Sequence, residues 1–254
     1  MFVKQYGNGK RWAFTIPGWG EDHTFFAPLA KFLPAGFSLA AVDLPGYGQT
    51  PRPSKLDIGE VIEQLRAEYK DLLANHSVPE TVVGNCSGAV LAAELVRTSA
   101  IKPLRLVLVD PFAFVPSYFK LFLKRGYGRR AYDTTFASAI GRWVTNLLLR
   151  GRRQRETDLM SAFRDVDHEV NYRYLEIFDS LGSIKRFHTL DMPVTFITGE
   201  RTFAAVRRSL ELWLELWPHA NVQRLKGVGH LPIREAPAAV INAICALNGA
   251  ESSR

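Results

Sequence analysis

The stretch "VVGNCSGAVLAAELV", Val82 to Val96, decides how the chain is to be read. Val82 and Val83 close a short β-rich run, and Gly88 to Val96 carries apolar residues at helical spacing. Between them Gly84, Cys86 and Gly88 form the pattern G-x-C-x-G. A strand that ends at Cys86 and a helix that starts at Ser87 must meet in a sharp turn, and glycines on either side let the two elements approach. Such a turn lifts the Cys86 side chain above the sheet and sets it at a helix N-terminus, where partial positive charge favours a thiolate. Cys86 is therefore the candidate nucleophile. A buried cysteine in a tight strand-helix turn is the weaker alternative. Ser87 lies one residue past the tip and would point elsewhere.

Working outward, short apolar runs alternate with longer helical ones. WAFTIP (12–17), FSLAAVDL (37–44), TVVGNC (81–86), LRLVLVD (104–110), PVTFIT (193–198) and VQRL (222–225) are expected strands. They are short and not strictly alternating, as strands buried on both faces are. Helices are expected at 21–33, 58–76, 88–99, 203–217 and 236–248. This alternation implies a mostly parallel α/β sheet. It breaks between Phe112 and Leu190, where aromatic and basic residues dominate and helical pieces such as 137–153 occur. Residues 112–190 are expected to form a helical cap inserted into a core made of 1–111 and 191–254. Ligands of open α/β sheets bind at the carboxyl edge that such a cap would cover.

The chain has 254 residues, 47% of them hydrophobic, which suits one core and excludes a disordered chain. The N-terminal run has no signal-peptide pattern, and no apolar run reaches membrane-span length. Cys86 and Cys245 are far apart in sequence, so a disulfide framework is not expected and a reducing cytoplasm is. Of the net charge of +7, the segment Lys120–Arg155 carries ten basic residues against Asp133 alone. That segment is +9 and the rest of the chain −2. A basic patch on a near-neutral body points to an anionic partner, with a solvated helical face as the alternative. No base-reading motif accompanies it, and no nucleic-acid partner is expected.

The segments "IPGWGEDHTFFAPLAKFL", "AAVDLPGYGQT", "VVGNCSGAVLAAEL", "LVLVDPFAF" and "LKGVGHLPIREAP" together resemble the α/β-hydrolase family over nearly the whole chain. Within it the chain is most similar to small capped esterases and thioesterases, including the pimeloyl-acyl-carrier-protein methyl ester esterases, which share the "GWG". A cysteine at the elbow also resembles dienelactone hydrolases and polyhydroxyalkanoate synthases. The resemblance implies an oxyanion loop at PGWG, with the backbone N–H groups of Trp19 and Ser87 as donors. Pro17 stands where the family often has histidine. His230 falls at the family's catalytic-histidine position.

The acid departs from the family's pattern. Where an aspartate usually follows the strand PVTFIT, this chain has Gly199, Glu200, Arg201 and Thr202. Some members carry the acid at the end of the strand after the nucleophile helix, and Asp110 fits that placement. Asp110 is preferred to Glu200, with a loop-capping role for Asp110 as the competitor. A cysteine-histidine pair needs an acid less than a serine-histidine pair, because a thiol is already partly ionised near neutrality. Asp43 is expected to hold the VDLPGYG turn, and the histidines other than His230 to be structural or surface groups, with His23 the one nearest the oxyanion loop.

The expected activity is acyl transfer from an ester or thioester, with the acyl group free or linked to acyl carrier protein or coenzyme A, and with no cofactor. Arg129, Arg130, Arg152 and Arg153 are the candidate contacts to an acidic carrier. An elimination, cyclisation or condensation on the same fold, and a binding protein with a vestigial site, are the alternatives.

Overall fold

The computed structural model describes residues 1–246. Among them seven strands form one sheet: β1 (Val3–Tyr6), β2 (Arg11–Ile16), β3 (Phe37–Val42), β4 (Thr81–Asn85), β5 (Arg105–Val109), β6 (Val194–Gly199) and β7 (Asn221–Leu225). Their order is β1-β3-β2-β4-β5-β6-β7. β1 runs antiparallel to β3, and every other pair is parallel. The helices are α1 (Ala27–Ala30), α2 (Ile58–Asn75), α3 (Gly88–Thr98), α4 (Ser117–Lys120), α5 (Gly128–Tyr132), α6 (Ala139–Leu148), α7 (His168–Ser180), α8 (Ala204–Leu216), α9 (Pro232–Glu235) and α10 (Pro237–Cys245).

The near-continuous apolar strands follow from burial on both faces. Because side chains alternate sides along a strand, each strand feeds two cores. Trp12, Phe14 and Ile16 of β2, Val82 of β4 and Leu106 and Leu108 of β5 join one cluster with α2, α3, α7 and α8. Ala13, Val83, Val107 and Val109 join the other, with Phe25, Phe26 and α10. The helix α3 is buried along most of its length, and its alanines let it lie close to β4. Its last carbonyls are capped by the Lys102 ammonium, which bonds Val96 O and Ser99 O and suits the negative end of the helix dipole.

The expected elements are all present, with three differences. The expected helix 21–33 is a short 3-10 turn, His23–Phe26, followed by the four residues of α1. Asp22 caps the turn by accepting from Thr24 N, and Pro28 lacks the N–H that a regular helix would use there. The strand β1 was not foreseen, since VKQY is a half-exposed edge strand with little apolar signal. The helix expected over 236–248 spans Pro237–Cys245, and its last expected residues, 247–248, lie outside the described residues. Between β5 and β6 the chain is helical, and Tyr132, Phe136, Met160 and Phe163 form a third apolar cluster there. The helix α7, at the end of this segment, packs instead into the main core through Val170, Tyr174 and Ile177.

The turn between β4 and α3 leaves no room for side chains. A Cβ on Gly84 would stand 2.6 Å from Ala89 Cα, and one on Gly88 would stand 2.2 Å from Pro17 O. Gly84→Ala is expected to destabilise the protein by about 1–3 kcal/mol in denaturant unfolding, the usual cost of overpacking. Gly151→Ala, whose Cβ meets nothing within 4 Å, is expected to leave the midpoint unchanged.

Candidate active site

The two left-handed non-glycine residues among the described residues sit at the ends of neighbouring strands. Cys86 follows β4 with φ 52°, and Asp110 follows β5 with φ 45°. Each still continues the parallel ladder before it turns: Cys86 N donates to Val109 O at 2.8 Å, and Asp110 N donates to Ile197 O at 2.8 Å. Backbone strain of this kind costs on the order of 1–3 kcal/mol per residue and gathers at functional sites.

His230 lies between them, on the loop that joins β7 to α9. Its Nε2 is 3.7 Å from Cys86 Sγ, and its Nδ1 is 2.7 Å from Asp110 Oδ2. Asp110 is fully buried and held from two further sides. Gly199 N donates to Oδ1 at 3.1 Å, and the Thr202 hydroxyl donates to Oδ2 at 2.5 Å. Thr202 thus occupies the position where an aspartate was looked for and supplies a donor to the aspartate that stands elsewhere. Its Oγ1 is also 3.3 Å from His230 Nδ1. The imidazole packs between Phe112 and Phe203, with ring centroids at 5.7 and 4.6 Å. Burial opposes the charged ring, but the Asp110 carboxylate and the Cys86 sulfur outweigh it and raise the His230 pKa to about 10.

Trp19, in the loop after β2, fixes that loop to the helical segment. Its indole N–H donates to Asn171 O at 2.7 Å, and its ring meets Phe119, Phe136 and Phe163 edge-on. The backbone N–H groups of Trp19 and Ser87 make no hydrogen bond among the described residues. Ser87 is the residue before α3; its hydroxyl caps nothing and has no partner among the described residues.

Glu21 was not foreseen from the sequence. It is buried beside the elbow, and its Oε2 accepts from Gly18 N and from Asn85 Nδ2, both at 2.8 Å. It therefore ties the loop after β2 to the last residue of β4. Burial outweighs these two donors and pushes its carboxyl up to about 7. The signal available in sequence was an acid placed directly after Gly18-Trp19-Gly20, and nothing there indicated that Asn85 would face it.

Above Cys86 and His230 opens a cavity of about 730 Å³, within the usual size for a small-molecule site. Its walls are mainly apolar, with Phe112, Phe119, Phe136, Met160 and Phe163 among them. Of the candidate carrier contacts, Arg152 lines this cavity, and its carbonyl accepts from His230 N at 2.9 Å. Arg153 is half-buried beside it, and its carbonyl accepts from the Arg201 guanidinium. Arg129 and Arg130 are exposed, with Arg129 paired to Asp133 at 3.0 Å. The four arginines thus do not share one exposed face. Glu200 is exposed and accepts from Gly227 N at 2.7 Å, with no contact to His230. Cys245 is on α10, with its thiol pushed up to about 11 by burial.

No other histidine lines the cavity among the described residues. Asp43 holds its turn by accepting from Gln49 N at 2.8 Å and pairs with His23 Nδ1 at 2.8 Å. Asp22, His23 and Asp43 come within metal-ligand reach of one another. Their carboxylates are already occupied by backbone and ring donors, so the group reads as turn structure rather than as a metal site.

The Glu21 carboxyl gives a pH test. Its folded pKa, about 7, lies above the ordinary 4.5. As pH rises through this interval the unfolded chain loses its proton first, so this group's effect on wild-type stability is a decrease, complete above about pH 7 and on the order of 3 kcal/mol. Glu21→Gln keeps an oxygen for both donors and never ionises. It is expected to melt higher than wild type at about pH 8, with the gap closing towards about pH 4. A gap independent of pH in thermal melts would contradict this account.

Comparison with known proteins agrees with the architecture. The model of the alpha/beta hydrolase family matches residues 13–243. A pimeloyl-[acyl-carrier protein] methyl ester esterase from Salmonella agona is 23% identical over 260 residues, covering 97% of each protein. Among solved structures, the enol-lactonase from Burkholderia xenovorans LB400 superposes with a TM-score of 0.75 at 17% identity, covering 96% of this chain and 94% of its own. A thermophilic esterase from Thermogutta terrifontis gives a TM-score of 0.75 at 17% identity, covering 96% and 90%. With the family's pattern matched from β2 to α10, the chain belongs to the alpha/beta hydrolase family.

Proposed function

We propose that the protein hydrolyses an acyl ester or thioester, with Cys86 as nucleophile, His230 as proton carrier and Asp110 as the orienting acid. The observation that carries this reading is the chain from Cys86 Sγ through the His230 imidazole to the Asp110 carboxylate, with Cys86 and His230 lining an apolar cavity and Asp110 buried behind them. The raised His230 pKa makes its imidazole an effective acceptor for the proton that the sulfur, 3.7 Å away, gives up as it attacks. The sulfur attacks the acyl carbon, and the carbonyl oxygen becomes negative. In this reading the N–H groups of Trp19 and Ser87, which have no other partner among the described residues, receive that charge, each such donor being worth about 3–4 kcal/mol. His230 gives its proton to the departing alcohol or thiol. It then takes one from water, which attacks the acyl-cysteine and frees the acid and the thiol. Asp110, kept in place by Gly199 and Thr202, holds the imidazole orientation and balances its charge throughout.

The apolar walls suit an acyl chain. A carrier-linked acyl ester as substrate is supported by the name of the Salmonella relative, a pimeloyl-[acyl-carrier protein] methyl ester esterase.

Cys86→Ala is expected to abolish both turnover and the acyl adduct seen by mass spectrometry, whereas Cys245→Ala keeps both. Turnover retained by Cys86→Ala would overturn the assignment. Asp110→Asn is expected to lower kcat/KM by about 10²–10⁴-fold, the usual worth of a positioned acid-base system. Glu200→Gln is expected to stay near the wild-type rate, and a loss equal to that of Asp110→Asn would show that the acid has been misassigned.

A further inference from the structure

The helix α6 is amphipathic in the inverted sense. Its inward side is polar or small. The Arg142 guanidinium donates to the carbonyls of Phe136 and Ala137, Asn146 Oδ1 accepts from Leu159 N, and Gly141 lies against the Thr134 carbonyl. Its outward side carries Ile140, Trp143, Val144, Leu147 and Leu148, all exposed. Ile140 and Leu148 are each 77% exposed and Trp143 67%. The spacing i, i+3, i+4, i+7, i+8 puts the five on one stripe. A stripe this apolar is left in water only where something else covers it.

Charge identifies what that is. The same segment holds Lys124, Arg125, Arg130, Arg150 and Arg155, all exposed and without an ion pair among the described residues. A second copy docked through the stripe in a two-fold contact would bring two such +9 segments together. An acidic, polar protein surface would answer the charges and leave the stripe unmatched. An anionic bilayer answers both: its headgroups attract the cations, and its acyl boundary takes up Trp, Leu and Ile side chains. Ten residues of helix measure about 15 Å, half the hydrocarbon thickness, so α6 would lie in the interface and not cross it.

We propose that α6 docks the protein on an anionic lipid surface, with the stripe Ile140, Trp143, Val144, Leu147 and Leu148 in the interface and the exposed cations of the same segment drawn to headgroup level. Thr145, on the inner side of the same helix, and Leu149, just past its end, contribute to the cavity wall. The docked surface is thus separated from the cavity by one helix, about 10 Å.

Sedimentation of the whole protein with vesicles tests this. Wild type is expected to bind vesicles of phosphatidylcholine and phosphatidylglycerol in equal parts at least about tenfold more tightly than vesicles of phosphatidylcholine alone. Ile140→Ser, Trp143→Ser and Leu148→Ser together, and separately Arg150→Glu with Arg155→Glu, are expected to weaken binding to the mixed vesicles by about tenfold or more. None of these residues lines the cavity, so turnover of a small water-soluble ester should persist in both variants and report intact folding. Trp143→Phe should retain binding. Failure of wild type to sediment with mixed vesicles, or equal binding by the serine variant, would overturn the proposal. So would a wild-type dimer that the serine substitutions dissociate, or saturable binding to an acidic carrier protein without vesicle binding. The vesicle result does not depend on which residue is the nucleophile.

Discussion

The site depends on the way two adjacent parallel strands end. After β4 and after β5 the chain keeps one more ladder bond and then enters the left-handed region, at Cys86 and at Asp110. Because β4 and β5 are paired with Asn85 beside Val109, the two strained residues emerge side by side at the carboxyl edge. His230 bridges them from the loop after β7. The left-handed geometry costs energy that the surrounding packing supplies: the glycine contacts under the elbow, and the hydrogen bonds that Gly199 and Thr202 give Asp110.

A buried aspartate at the end of β5, in contact with His230, restricts what can stand at position 202 beside it. A carboxylate at position 202 would face Asp110 at hydrogen-bond distance, and one of the pair would have to hold a proton. Threonine there donates to Asp110 instead of repelling it, and the same carboxylate oxygen faces the imidazole. The same economy holds on the other side of the elbow. Glu21 uses one oxygen to join the loop after β2 to β4, at the cost of burying a carboxyl.

The helical segment between β5 and β6 serves both the cavity and the surface. Its aromatic residues wall the cavity and clamp Trp19, while its charges and the outer stripe of α6 face solvent. Not all of its basic residues are outward. Arg152 and Arg153 are drawn in against the His230 loop, where their carbonyls accept from His230 N and from the Arg201 guanidinium.

Much of this was legible in the sequence, for local reasons. The elbow at Cys86 follows from Gly84 and Gly88 flanking a switch from strand to helix, and the two-sided burial of the sheet follows from its apolar runs. Asp110 could be placed as a candidate because it ends the strand where some members of the family it resembles carry the acid, and His230 because its surroundings match the family's pattern. Other features needed the tertiary structure, because they join residues that are distant in the chain. Thr202 meets Asp110 across 92 positions, and Asn85 meets Glu21 across 64. The direction of α6 was equally hidden. Periodicity shows that a helix has an apolar side, but only the packing of Arg142 and Asn146 against the protein shows that this side is turned outward.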